Sequence, residues 1–177
     1  MIEKRAIGAA PMTVTIAPLS HADPNAIEAL LDAAFGADRH TRTAYLIRAG
    51  MAAIPVLSFA AFDRAQLVGT LQSWPVRIGD APLTLVGPVA VDPQVQRGGI
   101  GRMLMTALID AAPDVPMVII GDPEYYGRFF GFTADATGGW DVPGPVERHR
   151  LLARNADGLP KRGMLGPRTF ALAEPKA

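Results

Sequence analysis

The chain has 177 residues, 49% of them apolar, with 17 basic and 17 acidic side chains and no cysteine. That length suits one domain with a core of its own, and the zero net charge argues against the broad basic footprint of a nucleic-acid binder. Without thiols there are no disulfides, no thiolate metal sites and no cysteine nucleophile. His21, His40 and His149 match no metal-ligand spacing, so no metal is expected.

No apolar run reaches the roughly 18 residues of a membrane span. The opening "MIEKRAIGAAPMTVTIA" is broken by Pro11, Thr13 and Thr15 where a signal peptide needs its hydrophobic stretch. A cytoplasmic protein with no membrane partner is expected, with residues 1–12 as a flexible extension and 13–177 as a single domain.

In chain order, "TVTIAPL" alternates like a short strand. "DPNAIEALLDAAFG" then reads as a helix: Asp23 is its N-cap, Pro24 its first residue, Gly36 its stop, and Ile27, Leu30, Leu31, Ala34 and Phe35 share one face. A second helix is expected from a cap at Asp38 to a stop at Gly50. "IPVLSFAAFD" and "QLVGTLQSWPVRIG" read as an antiparallel hairpin turning around residues 63–65, and "LTLVGPVAVD" as the next strand. Ile100, Met103, Leu104, Ala107, Leu108 and Ala111 follow helical spacing, and Pro113 ends that helix. "PMVIIGD" is continuous and β-branched, as in a strand buried on both faces and parallel to the one before the helix. Past residue 133 the Gly/Pro-rich chain predicts two or three irregular strands. The fold class is therefore α/β (α+β), an antiparallel meander followed by a central strand–helix–parallel-strand unit.

The glycines of "VDPQVQRGGIGRMLM", residues 91–105, sit at the strand-to-helix junction. Leu104 stands where a dinucleotide fingerprint needs its third glycine, and no Gly-Lys-Ser/Thr run completes a Walker loop. Two readings remain: a turn that lets helix and strand pack closely, or a turn whose bare amides meet a diphosphate at the positive end of the helix dipole.

Gln96, Gly99 and Gly101 resemble the Gln/Arg-x-x-Gly-x-Gly/Ala motif of the GNAT superfamily of N-acetyltransferases. "VGPVAVDP" is similar to that family's central strand, and "GDPEYYGRFFGF" to its next strand and helix, with the Tyr-Tyr and Gly-Phe of an uncharacterised bacterial branch. The element order agrees over residues 13–133. The resemblance implies a mixed, mostly antiparallel twisted sheet with flanking helices, and acetyl-CoA as co-substrate. Backbone groups of Val89, Ala90 and Val91 are then expected to pair with the pantetheine arm, with Pro88 at a bulge. The diphosphate is expected on the amides of Arg97, Gly98, Gly99, Ile100, Gly101 and Arg102, with Arg97 and Arg102 adding charge.

The resemblance also implies an N-acetyltransferase that moves an acetyl group directly to an amine of a small molecule or a protein terminus. An amide of the central strand would stabilise the oxyanion and a phenol would protonate the departing thiolate. Tyr126 is the candidate phenol and Tyr125 the fallback, because the second Phe of "RFFGF" shifts the usual count to Gly-Phe by one. The base is open between Glu124, Asp92 and a water relay. Arg39, His40, Arg42 and Arg48 form either a site for an acidic group or, by default, a solvated basic face; Trp74 either lines the pocket or is a buried aromatic. Both tyrosines are by default core residues. A non-catalytic acyl-CoA sensor is the alternative function, and the apolar fraction is compatible with a homodimer.

Overall fold

A computed structural model describes residues 10–95 and 98–169. Strand β1 (Val14–Pro18) leads to helix α1 (Pro24–Phe35). The Asp23 carboxylate accepts hydrogen bonds from the backbone N–H groups of Asn25 and Ala26 at 2.7 and 3.1 Å, Pro24 occupies the first helical position, and Gly36 at φ 90° ends the helix. Its face of Ile27, Leu30 and Leu31 packs on Ala60 and Ala90 of the sheet.

The expected second helix is broken in two. A 3-10 turn spans Arg39–Thr41, and α2 runs only over Thr43–Ile47. Asp38 precedes the 3-10 turn and its side chain caps nothing there; Arg42 in extended conformation separates the two pieces. "IPVL" likewise folds as a 3-10 turn, with the strand β2 starting later (Phe59–Asp63). β2 pairs antiparallel with β3 (Gln66–Ile78), joined through Arg64 at φ 55° and Ala65, and β3 pairs antiparallel with β4 (Ala81–Val91).

Helix α3 (Ile100–Ala111) crosses back over the sheet to β5 (Met117–Ile120), which lies parallel to β4. Ile100, Leu104, Met105 and Leu108 of α3 are buried, whereas Met103 is 36% exposed. About 200° of helical rotation separates residues 103 and 105, so the side that buries Met105 turns Met103 outward. The close approach of α3 to the sheet occurs at Gly69 on β3. A Cβ there would lie 2.8 Å from Ile100 Cγ2, 3.1 Å from Leu104 Cδ1 and 3.2 Å from the Ala90 carbonyl oxygen.

Helix α4 (Pro123–Phe130) follows β5. The described residues of the Gly/Pro-rich remainder form three strands, β6 (Gly139–Asp141), β7 (Leu151–Arg154) and β8 (Arg162–Pro167). β7 pairs antiparallel with β5, and β8 pairs with the far end of β3 and with β6. The order β1-β2-β3-β4-β5-β7 is antiparallel except at β4–β5. No helix among the described residues is long and apolar enough to cross a membrane.

Candidate active site

The parallel pair at the centre of the sheet barely forms. β4 and β5 share two register positions, Thr84 with Met117 and Leu85 with Val118; beyond them both strands continue without pairing to each other. At this divergence β4 carries a bulge. Val86 opposes Ser73 and Val89 opposes Leu71, so Gly87 and Pro88 together face the single residue Gln72. Pro88 has no N–H to give a ladder, which favours the irregularity expected there. The open edge of Val89, Ala90 and Val91 faces the gap. A cleft of about 1140 Å³ occupies it, with Val86–Val89 on one side and Ile119–Asp122 on the other.

A second cavity of about 420 Å³ adjoins it at the start of α3, bounded by Val89–Val91 and by Gly99, Ile100, Gly101 and Arg102. Gly99 is the N-cap in the left-handed conformation (φ 65°, ψ 22°), and no side chain among the described residues caps the helix. The first-turn N–H groups of α3 therefore have no intrahelical partner and point at the cavity mouth, where the helix dipole adds positive potential. A Cβ on Gly99 would meet none of the described residues within 4 Å, while one on Gly101 would lie 3.6 Å from the Tyr125 hydroxyl and 3.9 Å from Val91 Cγ2. Bare amides, an empty approach and the Arg102 guanidinium 4.1 Å above the Phe129 ring fit a diphosphate. Gly98 stands just outside this lining, under the Met12 side chain. Gln96 and Arg97 lie outside the described residues, as do residues 1–9 of the expected extension.

A close approach of helix to strand falls at Gly69, on β3, whereas a Cβ on Gly99 would meet none of the described residues within 4 Å.

Helix α4 brings both tyrosines to the gap. Its N-cap Asp122 accepts from the Glu124 N–H at 3.0 Å, and Gly131 at φ 73° ends it. The Tyr125 and Tyr126 rings meet edge to face, 4.9 Å apart at 90°. Tyr125 borders both cavities; Tyr126 borders only the larger one. The Tyr126 ring lies across Gly121, where a Cβ would overlap it, and against Phe132. Burial pushes the Tyr126 phenol up to about 12, with Tyr125 and Asp122 acting in the same direction and Arg150 opposing them. Burial also raises Tyr125, against the pull of Arg102. Phe129, in the last turn of α4, lies at the surface.

The opposite wall comes from α2 and the loop before β7. Thr43 Oγ1 donates to the Pro145 carbonyl at 2.5 Å, tying the two together, and Arg42, Tyr45, Glu147 and Arg150 border the cleft. The solvated basic face is wrong for two of its members. Arg39 is buried at 2% exposure, bonded to Glu28, to Asp32 (2.9 Å) and to the Tyr45 hydroxyl (2.8 Å). Burial works against its charge, and those hydrogen bonds outweigh it, holding Arg39 above the ordinary guanidinium range. Arg48 is buried as well, its guanidinium carbon 3.9 Å from the Tyr45 ring centre and 3.7 Å from that of Trp74. Trp74 does not line the cleft; its indole N–H donates to the Gly87 carbonyl at 2.7 Å.

Neither candidate base borders the cleft. Asp92 accepts from the Gln94 N–H at 2.9 Å, and Glu124 is exposed on the first turn of α4. The carboxylates that do border it are Asp122 and Glu147, which sequence reasoning did not single out. Asp122 was legible as a helix cap before Pro123. Glu147 was hidden in a segment without periodicity.

Comparison with known proteins gives this geometry a family. The model of the acetyltransferase (GNAT) family matches residues 25–121. No curated protein matches the chain. Among solved structures, the GNAT family N-acetyltransferase YhbS from Escherichia coli, in complex with CoA, is 22% identical and covers 90% of this chain and 92% of its own, with a TM-score of 0.69. Naa50 from Arabidopsis thaliana, in complex with the bisubstrate analogue CoA-Ac-MVNAL, is 14% identical over 80% of this chain and 97% of its own, with a TM-score of 0.50. At such identities the likeness is one of fold. The family match runs through more than half of the chain, from α1 past β5, and encloses both the glycine turn and the divergent strands; the chain belongs to the acetyltransferase (GNAT) family.

Proposed function

We propose that the protein is an acetyl-CoA-dependent N-acyltransferase that passes an acetyl group directly to an amine of a small molecule or a protein terminus. The observation that carries this reading is the adjacency of the unpaired β4 edge to the uncapped first turn of α3. Amides from Gly98 to Arg102 hold the diphosphate, together with Gln96 and Arg97. The edge of Val89, Ala90 and Val91 takes the amide-bearing arm as an added strand. The arm then leads from the α3 turn toward the bulge, and the thioester lies near Val86–Pro88 and Ile119–Gly121.

That placement assigns the two phenols different work. Tyr125, with its hydroxyl beside Gly101, contacts the cofactor arm near its phosphate end. Tyr126, beside Gly121 at the tip of β5, is the general acid. When the amine attacks the carbonyl, a β4 amide receives the oxyanion. Collapse of the adduct breaks the C–S bond, and Tyr126 gives its proton to the leaving thiolate. A phenol held near 12 stays protonated at neutral pH, as an acid must. The proton lost by the amine passes to water or to Asp122 or Glu147.

Thiol release from acetyl-CoA over a panel of amines tests the proposal. Acceptor-dependent release supports it. Tight CoA binding with no release against any amine or amino-terminal peptide would instead make the protein an acyl-CoA sensor.

A further inference from the structure

Arg48 is a buried cation in contact with no carboxylate among the described residues. It is 7% exposed, and none of the ion pairs among the described residues includes it. An interior charge is costly unless hydrogen bonds or other partners compensate it, and the Tyr45 side chain supplies part of that compensation. Two aromatic faces, Tyr45 and Trp74, take up the guanidinium, and its Nη1 donates to the Gly87 carbonyl at 3.4 Å. The same carbonyl accepts the shorter bond from the Trp74 indole.

Both donors thus converge on one oxygen, and that oxygen belongs to the bulge of β4. Gly87 stands at φ 121°, a backbone state that a side chain rarely adopts. Neither Gly87 nor Pro88 has a register partner on β3. The ladder therefore does not fix the peptide plane between Val86 and Val89, and the Arg48–Trp74 pair does. Tyr45 extends the arrangement outward: its ring supports Arg48, its hydroxyl accepts from Arg39, and it borders the cleft. Arg39 in turn is fixed by Glu28 and Asp32 of α1. One chain of contacts runs from the acceptor wall to the bulge.

We infer that Arg48 and Trp74 are positioning residues, a clamp on the Gly87 carbonyl that sets the direction of the β4 amides after Pro88, where the oxyanion forms, and holds a positive charge behind them. The catalytic half of this inference rests on the acyltransferase reading; the clamp itself does not. Fixed dipoles and charges aimed at a developing oxyanion lower its energy without reorganisation, and a small displacement of them is expensive.

Two variants test it. Trp74→Phe keeps a ring and removes the indole donor; Arg48→Met keeps bulk and removes the charge. In the Trp74→Phe protein the carbonyl carbon resonance of Gly87 and the amide resonance of Val89 should shift, while the amides of α3 stay in place. Turnover should fall roughly ten- to hundredfold, with the KM for acetyl-CoA and the calorimetric affinity for CoA within about twofold of wild type. Arg48→Lys, which restores charge without the planar stack, should recover part of the turnover lost in Arg48→Met. Unmoved Gly87 and Val89 resonances would overturn the clamp. Shifted resonances with unchanged turnover would overturn its catalytic role. If the wild-type protein acetylates no amine, the acyltransferase reading falls with the catalytic half, and the resonances still decide whether the clamp exists.

Discussion

Replacing Gly99 by alanine separates the fold from the cofactor. Gly99 sits at φ 65°, where an L side chain costs about 1–2 kcal/mol, and stiffening of the unfolded chain returns about 0.4–1 kcal/mol. The new methyl meets none of the described residues within 4 Å, so they add no steric cost. The net is about 1 kcal/mol, which lowers Tm by about 2–4 °C in a chain of this size. CoA should feel far more. The methyl occupies the approach to the α3 amides, and loss of one hydrogen bond to a charged group is worth about 1.5–3 kcal/mol, or roughly ten- to hundredfold in affinity. Gly50→Ala is the matched control, since Gly50 has φ 76° and equally open surroundings but lies outside both cavities. Thermal unfolding should show similar losses in the two variants, and calorimetric titration with CoA should separate them. Equal CoA affinity in both would refute the claim that this turn holds the diphosphate.

Tyr126→Phe should cut turnover while CoA affinity holds; an unchanged rate would reject Tyr126 as the acid and pass the role to Tyr125. The same variant has a signature apart from activity. A phenol raised to about 12 in the fold and near 10 in the unfolded chain supports the native state below pH 10 and loses that support as pH climbs toward 12. The wild-type protein should therefore lose about 2–3 kcal/mol more stability than the variant across that interval, read by denaturant unfolding. Gly69→Ala should cost about 1–3 kcal/mol, because the methyl presses on Ile100, Leu104 and the Ala90 carbonyl together; a neutral result would mean that α3 slides away at no cost.

The parts legible in the sequence were those where local chemistry and tertiary packing agree. Asp23, Pro24 and Gly36 fix α1 without help from the rest of the chain, and the β-branched run 118–120 permits little except a buried strand. The glycine turn was readable for the same reason: its conformation is set by what it lacks. The expected second helix breaks at Arg42, whose extended backbone separates the 3-10 turn from α2 while its side chain reaches back to the Phe35 carbonyl, and no breaker residue marks that point in the sequence. Arg48 was misread likewise. Its ring partners Tyr45 and Trp74 lie on different elements, and a charge beside a short helix looks solvated until they meet. The cleft wall at 145–150 was out of reach because it is held by single contacts, such as Thr43 to Pro145, rather than by periodicity.

A crystal structure of the CoA complex tests the central claim most directly. The diphosphate should rest on the amides of residues 98–102, with the arm along Val89–Val91 and the sulfur beside the Tyr126 hydroxyl. CoA bound elsewhere, with the α3 turn bare and the gap between β4 and β5 empty, would contradict the account.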